Sequence, residues 1–121
     1  MLLPGTTTVH GEQSAGHTDT DTDKGGHGTS MAELIAGQGQ EHGFVDVAPE
    51  AKILPIVING YSNVEAAAVR YAVDHGAKVI NFSDATPDGG AGGYCPYDLQ
   101  DAIAYAARKD VVVVAGSGNS A

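Results

Sequence analysis

Apolar residues recur at helical spacing in three separate stretches of the chain. Met31, Leu34 and Ile35 would lie on one face of a helix that begins near His27 and ends at Gly37. A second helix is predicted over about 63–75 and a third over about 97–109. Their predicted apolar faces are Val64, Ala67, Ala68, Tyr71 and Ala72 in the second helix and Leu99, Ala102, Ile103 and Ala106 in the third.

Three short apolar runs predict strands between and after these helices: Lys52–Ile58 (KILPIVI), Lys78–Ser83 (KVINFS) and Val111–Ala115 (VVVVA). Pro55 cannot donate a ladder hydrogen bond, so it places the first strand near a sheet edge or a bend. Because apolar strands alternate with helices, the pattern predicts an α/β fold with three layers, a mainly parallel sheet having helices on both faces. The sheet is expected to be incomplete, since no crossover helix follows the last strand.

Residues 1–26 are polar, rich in Gly, Thr, Asp and His, and show no periodicity, so they are predicted to form a loop. Residues 27–121 are predicted to be the structured α/β part. Apolar residues make up 42% of the 121 residues and charged residues 17%, which is a globular composition.

The chain is acidic, with 6 Lys and Arg against 15 Asp and Glu and a formal charge of −9. This balance argues against a nucleic-acid partner, because phosphate binding depends on clustered cations. No apolar run approaches the roughly 18 residues of a membrane helix, so no membrane span is predicted in this chain. Its first residues lack a basic stretch and a long apolar stretch, so no signal peptide is predicted there.

The residue pattern gives little support for a metal site or for a reactive thiol. The five histidines have no zinc spacing, and the one cysteine, Cys95, is either a buried free thiol or the partner of a cysteine elsewhere. The acidic run 19–23 resembles the opening of an EF-hand loop, but Lys24 stands where that loop needs Gly and Ser30 where it needs Glu. No cofactor is predicted; structural calcium in a complete domain is left open.

His27 lies between Gly26 and Gly28 at the predicted start of the first helix. Small neighbours would let a substrate approach the imidazole closely, as a general base requires. The alternative is a solvated histidine at a helix start. The segment 27–37, HGTSMAELIAG, resembles the histidine signature of the subtilases, the subtilisin-like serine peptidases.

Three further segments resemble subtilase motifs in the family's order. They are 47–54 (VAPEAKIL), 72–83 (AVDHGAKVINFS) and 111–119 (VVVVAGSGN), so that the resemblance covers about 20–121. Within the family, the acidic lead-in and Cys95-Pro96 are most similar to bacterial secreted members of the mycosin kind.

The resemblance implies a role for several residues. His27 would be the general base of a Ser-His-Asp triad, and the side-chain amide of Asn119 would stabilise the oxyanion. A polypeptide substrate would lie between two walls, formed by Ser83, Asp84 and Ala85 and by Ala115, Gly116 and Ser117. The resemblance also implies a secreted or cell-envelope location.

Two members of the triad are not found in the chain. No Asp-Ser/Thr-Gly occurs, and the aspartates of the 19–23 run do not fit the triad acid. Ser30 lies in a GTSMA sequence like that of the family's nucleophile, but Leu34 replaces the expected proline and His27 is only three residues away. Ser30 is therefore interpreted as a helix residue. The chain is expected to be the central fragment of a catalytic domain, with the nucleophile beyond Ala121, and to be inactive alone.

Two alternatives remain. Asp84 and Ala85 depart from the family's usual Leu-Gly or Trp-Gly, which is compatible with a non-catalytic remnant that only binds peptides. The segment 116–121 after the last strand also fits a Gly-x-Gly-x-x-Ala dinucleotide fingerprint, which would need a following helix.

Overall fold

The computed structural model describes residues 6–7, 26–39, 43, 45–58, 62–83 and 95–117. Its elements are β1 (Thr6–Thr7), α1 (His27–Ala36), β2 (Ile56–Val57), α2 (Ser62–Asp74), β3 (Val79–Phe82), α3 (Tyr97–Arg108) and β4 (Val112–Ala115). The chain divides into two compact units, unit 1 (Met1–Val57) and unit 2 (Ile58–Ala121).

Unit 1 contains a short parallel pair of strands, in which Thr6 pairs with Ile56 and Thr7 with Val57. The prediction that residues 1–26 form only a loop was therefore wrong at Thr6–Thr7. The strand predicted over Lys52–Ile58 is confirmed only at its end, because β2 contains two residues. It begins directly after Pro55, which lacks the N–H that a longer ladder would use.

Helix α1 begins and ends where the sequence predicts. Gly26 adopts a left-handed conformation before it (φ 61°, ψ 47°), and the carbonyl of Gly26 accepts the first helical bond from the Ser30 N–H at 2.9 Å. After α1, the chain folds back and contacts the carboxyl end of that helix. The Ala48 N–H donates to the Ile35 carbonyl at 2.8 Å, and the Asp46 N–H donates to the Gly37 carbonyl at 3.1 Å. This return satisfies carbonyls that a helix end leaves without intrahelical partners.

Unit 2 is built on β3 and β4, parallel neighbours joined through α3. Ile80, Phe82 and Val113 are partly buried against residues of both α2 and α3. Their neighbours along the strands alternate to the other face, where Val79 and Val112 are 60% and 56% exposed. In the described part of unit 2, both helices thus cover the same face of the sheet.

Among the residues that the structure describes, the buried apolar side chains come mainly from the two helices of unit 2. They are Ala66, Ala68, Val69, Ala72, Val73, Ala102, Ala106 and Val111. The predicted apolar face of α3 is confirmed at Ala102 and Ala106, which are buried. The predicted apolar face of α2 was wrong at Ala67, which is exposed. The alanine run of α2 is apolar on every side, so the larger Val69 and Val73, one turn apart, determine which face is buried.

Both unit 2 helices end in the same hydrogen-bonded turn. The N–H groups of Gly76 and Ala77 donate back into the last turn of α2 at 3.1 and 3.0 Å, and those of Asp110 and Val111 do so in α3 at 3.1 and 3.0 Å. This Schellman turn needs one left-handed residue. Gly76 fills that position at φ 83° and Asp110 at φ 56°. Each turn leads directly to a strand.

Candidate functional site

The histidine of the predicted triad is the first residue of α1. His27 is exposed there, with Gly26 before it and Gly28 after it. Because glycine has no side chain, neither flanking residue obstructs approach to the ring, and a general base needs such access. Ser30 also lies in the first turn of α1, as predicted, and that it is not the nucleophile stays a prediction.

The two predicted substrate walls meet at the carboxyl edge of the unit 2 sheet. Phe82 pairs with Ala115 in register, and the Gly116 N–H donates to the Phe82 carbonyl at 3.0 Å. Ser83 follows one strand directly, and Ala115, Gly116 and Ser117 end and follow the other; all four are exposed. The carboxyl edge of a parallel sheet is where such folds place ligands, so this pair of strand ends can hold an extended chain.

The sequence analysis did not single out Asn81, which contacts the predicted site residue Ser83. Its side-chain Nδ2 donates to the Ser83 Oγ at 2.7 Å. Alternation along a strand puts residues 81 and 83 on the same side, so the spacing of the two polar residues was a usable signal. The bond fixes the Ser83 hydroxyl at the strand end.

Several predicted site residues lie outside the described part of the chain, namely Asp84, Ala85 and Asn119. Within unit 2, the structure brings together Ser83, Ala115, Gly116 and Ser117, whereas His27 belongs to unit 1. The catalytic and binding roles of all these residues stay predictions.

Cys95 is exposed and unpaired just before α3, so the alternative of a buried thiol was wrong. Among the described residues, no group of His, Cys, Asp and Glu could hold a metal ion. No helix in that part of the chain has the length and apolar character to cross a membrane.

A second polar cluster lies at the opposite edge of the unit 2 sheet, where the helices end. The Tyr105 hydroxyl of α3 donates to Asp74 Oδ1 of α2 at 2.7 Å. This hydrogen bond, with desolvation and the negative charge of Asp74, raises the pKa of Tyr105 above its ordinary value, while Arg70 and Arg108 oppose the shift. The Arg70 guanidinium lies 5.3 Å from the centre of the Tyr105 ring and the Lys109 ammonium 5.8 Å.

Comparison with known families tests the resemblance of the histidine segment to the subtilases. The model of the subtilase family matches residues 5–121. The chain belongs to the subtilase family. Its subtilisin-like α/β fold agrees with the parallel strand pairs and with α1.

Named subtilases are similar over most of this chain. Fervidolysin of Fervidobacterium pennivorans is 42% identical over 84% of the chain and 15% of its own length. Mycosin-3 of Mycobacterium tuberculosis is 38% identical over 85% of the chain and 27% of its length. Thermitase of Thermoactinomyces vulgaris is 37% identical over 78% of the chain and 34% of its length. The chain thus spans about a third or less of the length of these subtilases.

Proposed function

We propose that the complete protein is a serine endopeptidase that hydrolyses polypeptides through an acyl-enzyme. The observation that carries this proposal is the family match over 5–121, which includes the histidine helix and both strand ends. Relatives named as serine proteases, such as the major intracellular serine protease of Bacillus subtilis (30% identical), support the same reaction.

In the proposed reaction, His27 accepts the proton of the serine hydroxyl during attack and gives it to the leaving amine. The Asn119 amide donates to the oxyanion of the tetrahedral intermediate. The substrate backbone lies along Ser83, Asp84 and Ala85 as an added strand, opposite Ala115, Gly116 and Ser117. Asn81 holds the Ser83 hydroxyl in place. The triad acid and nucleophile come from residues outside 1–121, so this chain alone is inactive.

We also propose three layers for the complete domain and no cofactor. The exposed valines on the second face of the β3–β4 sheet support the third layer, because parallel sheets are normally covered on both faces. Activity that survives removal of divalent cations by a chelator would support the absence of a catalytic metal. A lower melting temperature in chelator would indicate structural calcium.

A secreted or cell-envelope location is part of the proposal. One relative is named an intracellular protease, so membership of the family by itself allows both compartments. Fractionation of the source cells with an antibody to this chain tests the location. Recovery of the protein from the cytosol alone would overturn it.

The first test is to sequence the genomic DNA on both sides of this reading frame. We expect an upstream strand ending in Asp-Ser/Thr-Gly and a downstream Gly-Thr-Ser-Met-Ala-x-Pro helix in the same frame. Flanking stop codons would instead favour the peptide-binding remnant that Asp84 and Ala85 suggest. The dinucleotide alternative loses support, because the family match includes 116–121.

The second test measures peptidase activity of the complete protein. His27→Ala should lower kcat by about 10⁶-fold, because a triad acts as a unit. Asn119→Ala should lower it by about 10²–10³-fold through loss of one oxyanion donor. His75→Ala removes an exposed histidine at the end of α2, and Ser30→Ala a hydroxyl of α1; both should retain activity. A serine-directed inhibitor adduct on the 121-residue chain would contradict the proposal.

A further inference from the structure

The positive charges of this acidic chain are concentrated at one end of unit 2. Four of its six Lys and Arg side chains, Arg70, Lys78, Arg108 and Lys109, lie around Tyr105, and all four are exposed. We call these four residues the basic end. It lies where α2 and α3 end and where β3 and β4 begin.

The rest of the chain has the opposite charge. The segments 70–78 and 105–111, which contain the basic end, hold four cations and two carboxylates, a formal charge of +2. The remaining residues hold two cations and thirteen carboxylates, a formal charge of −11. Such separation produces a local positive potential that attracts anionic partners.

Two carboxylates, those of Asp74 and Asp110, lie in the same segments as the basic end. Asp74 accepts the Tyr105 hydroxyl, so one of its oxygens is already engaged. Asp110 occupies the left-handed turn after α3. Neither removes the excess of positive charge.

A cleft of about 330 Å³ opens within the basic end. Val73, Ala77 and Val111 contribute apolar atoms to it, and Asp74, Lys78, Tyr105 and Lys109 contribute polar ones. The volume accommodates one or two side chains, and the cations are spread over two helix ends rather than gathered around one point. This arrangement suits a ligand with several anionic groups and an apolar side chain between them.

We propose that the basic end docks an acidic segment of a partner polypeptide, with Asp or Glu side chains facing the four cations and an apolar side chain in the cleft. The strands β3 and β4 separate this surface from Ser83 and Gly116, at the other edge of the sheet. The docking surface is therefore distinct from the proposed substrate walls, and its test does not depend on peptidase activity.

The probe is a fluorescein-labelled Glu-rich peptide of about ten residues with a central Leu, which spans roughly 33 Å when extended. Fluorescence anisotropy with the 121-residue chain should show saturable binding that weakens as salt is raised. The same peptide with Gln in place of Glu should not bind. No saturable binding of the Glu-rich peptide would overturn the proposal.

The double variant Lys78→Gln/Lys109→Gln should weaken binding about tenfold, because two exposed ion pairs are lost. Lys52→Gln is the matched control, since Lys52 is an exposed lysine of unit 1, and should bind as the original chain does. Circular dichroism checks that each variant retains its fold. Equal weakening by both changes would overturn the proposal, as would tighter binding of a single-stranded oligonucleotide or self-association of the chain through the same lysines.

Discussion

The two units of this chain differ in how they bury apolar side chains. Among the residues that the structure describes, all eight buried apolar ones belong to unit 2, where two helices share one core with a strand pair. In the described part of unit 1, by contrast, Leu34, Val45 and Val47 are 59%, 64% and 92% exposed, and α1 has no buried residue. Apolar burial is the main favourable term in folding. Burial of apolar side chains therefore stabilises unit 2 more than the described part of unit 1.

The largest predicted effect comes from placing one charge in each unit. Val69→Asp should cost several kcal/mol and unfold unit 2, because Val69 is fully buried and an isolated carboxylate would be desolvated. The identical change Val47→Asp in unit 1 should alter the free energy of unfolding by no more than about 0.5 kcal/mol. Urea unfolding followed by circular dichroism measures both. Equal costs would contradict the difference between the units.

The second prediction concerns close backbone approach at the end of α1. A Cβ added to Gly37 would lie 2.8 Å from the Glu33 carbonyl oxygen and would also meet the Asp46 carboxylate. The carboxylate can rotate away, but the carbonyl belongs to the helix. Gly37→Ala should therefore cost about 1–3 kcal/mol and loosen the chain that returns along α1.

Hydrogen exchange of the Ala48 amide, which donates to Ile35, reports this loosening directly. Gly116→Ala is the matched change in unit 2, because the nearest atom to its added Cβ is the Phe82 carbonyl oxygen at 3.9 Å, an ordinary contact. It should leave stability within about 0.5 kcal/mol. Unchanged exchange at Ala48 in Gly37→Ala would show that unit 1 adapts without cost.

The third prediction compares the two helix ends of unit 2. Gly76→Ala should cost about 1 kcal/mol, because an L side chain is unfavourable at the left-handed position. Asp110→Gly should gain about 0.5 kcal/mol, since glycine removes that penalty but is more flexible when unfolded. Thermal unfolding measures both changes. Asp110→Asn controls for the lost charge, and an equal gain with Asn would assign the effect to electrostatics.

Local sequence signals were sufficient for the elements of unit 2. Helix α2 runs over Ser62–Asp74 against a prediction of about 63–75, and β3 lies within Lys78–Ser83. Periodicity and a glycine after the helix are local properties, so the sequence alone reveals them. Unit 1 was harder. Strand β1 consists of two threonines whose pairing depends on a partner about fifty residues away, and nothing nearby marks it.

The site was predicted unevenly for the same reason. The positions of Ser83 and Ala115 at strand ends were predicted because family motifs and strand ends coincide in the sequence. Asn81 was missed although its spacing from Ser83 was informative. The bond between Tyr105 and Asp74 joins residues 31 positions apart on different helices, and only packing brings them together.

The hydrogen bond between Tyr105 and Asp74 gives the smallest predicted effect, a dependence of unit 2 stability on alkaline pH. The Tyr105 pKa is raised above 10.0, mainly by its hydrogen bond to Asp74. Folding therefore favours the protonated phenol. Its contribution to stability is fully present below the unfolded pKa near 10 and is lost as pH rises through the higher folded pKa. The effect is limited because the hydroxyl is solvent-accessible and screened.

Ultraviolet titration of tyrosinate absorbance measures the pKa, and urea unfolding between neutral pH and about pH 11 measures its effect on stability. Asp74→Asn should lower the Tyr105 pKa towards its ordinary value, because the carboxylate acceptor and its charge are removed together. Tyr105→Phe should eliminate the late-titrating ring, whereas Tyr97→Phe, at an exposed position at the start of α3, should retain it. If Asp74→Asn left the late titration unchanged, the hydrogen bond between α2 and α3 would not be the cause of the raised Tyr105 pKa.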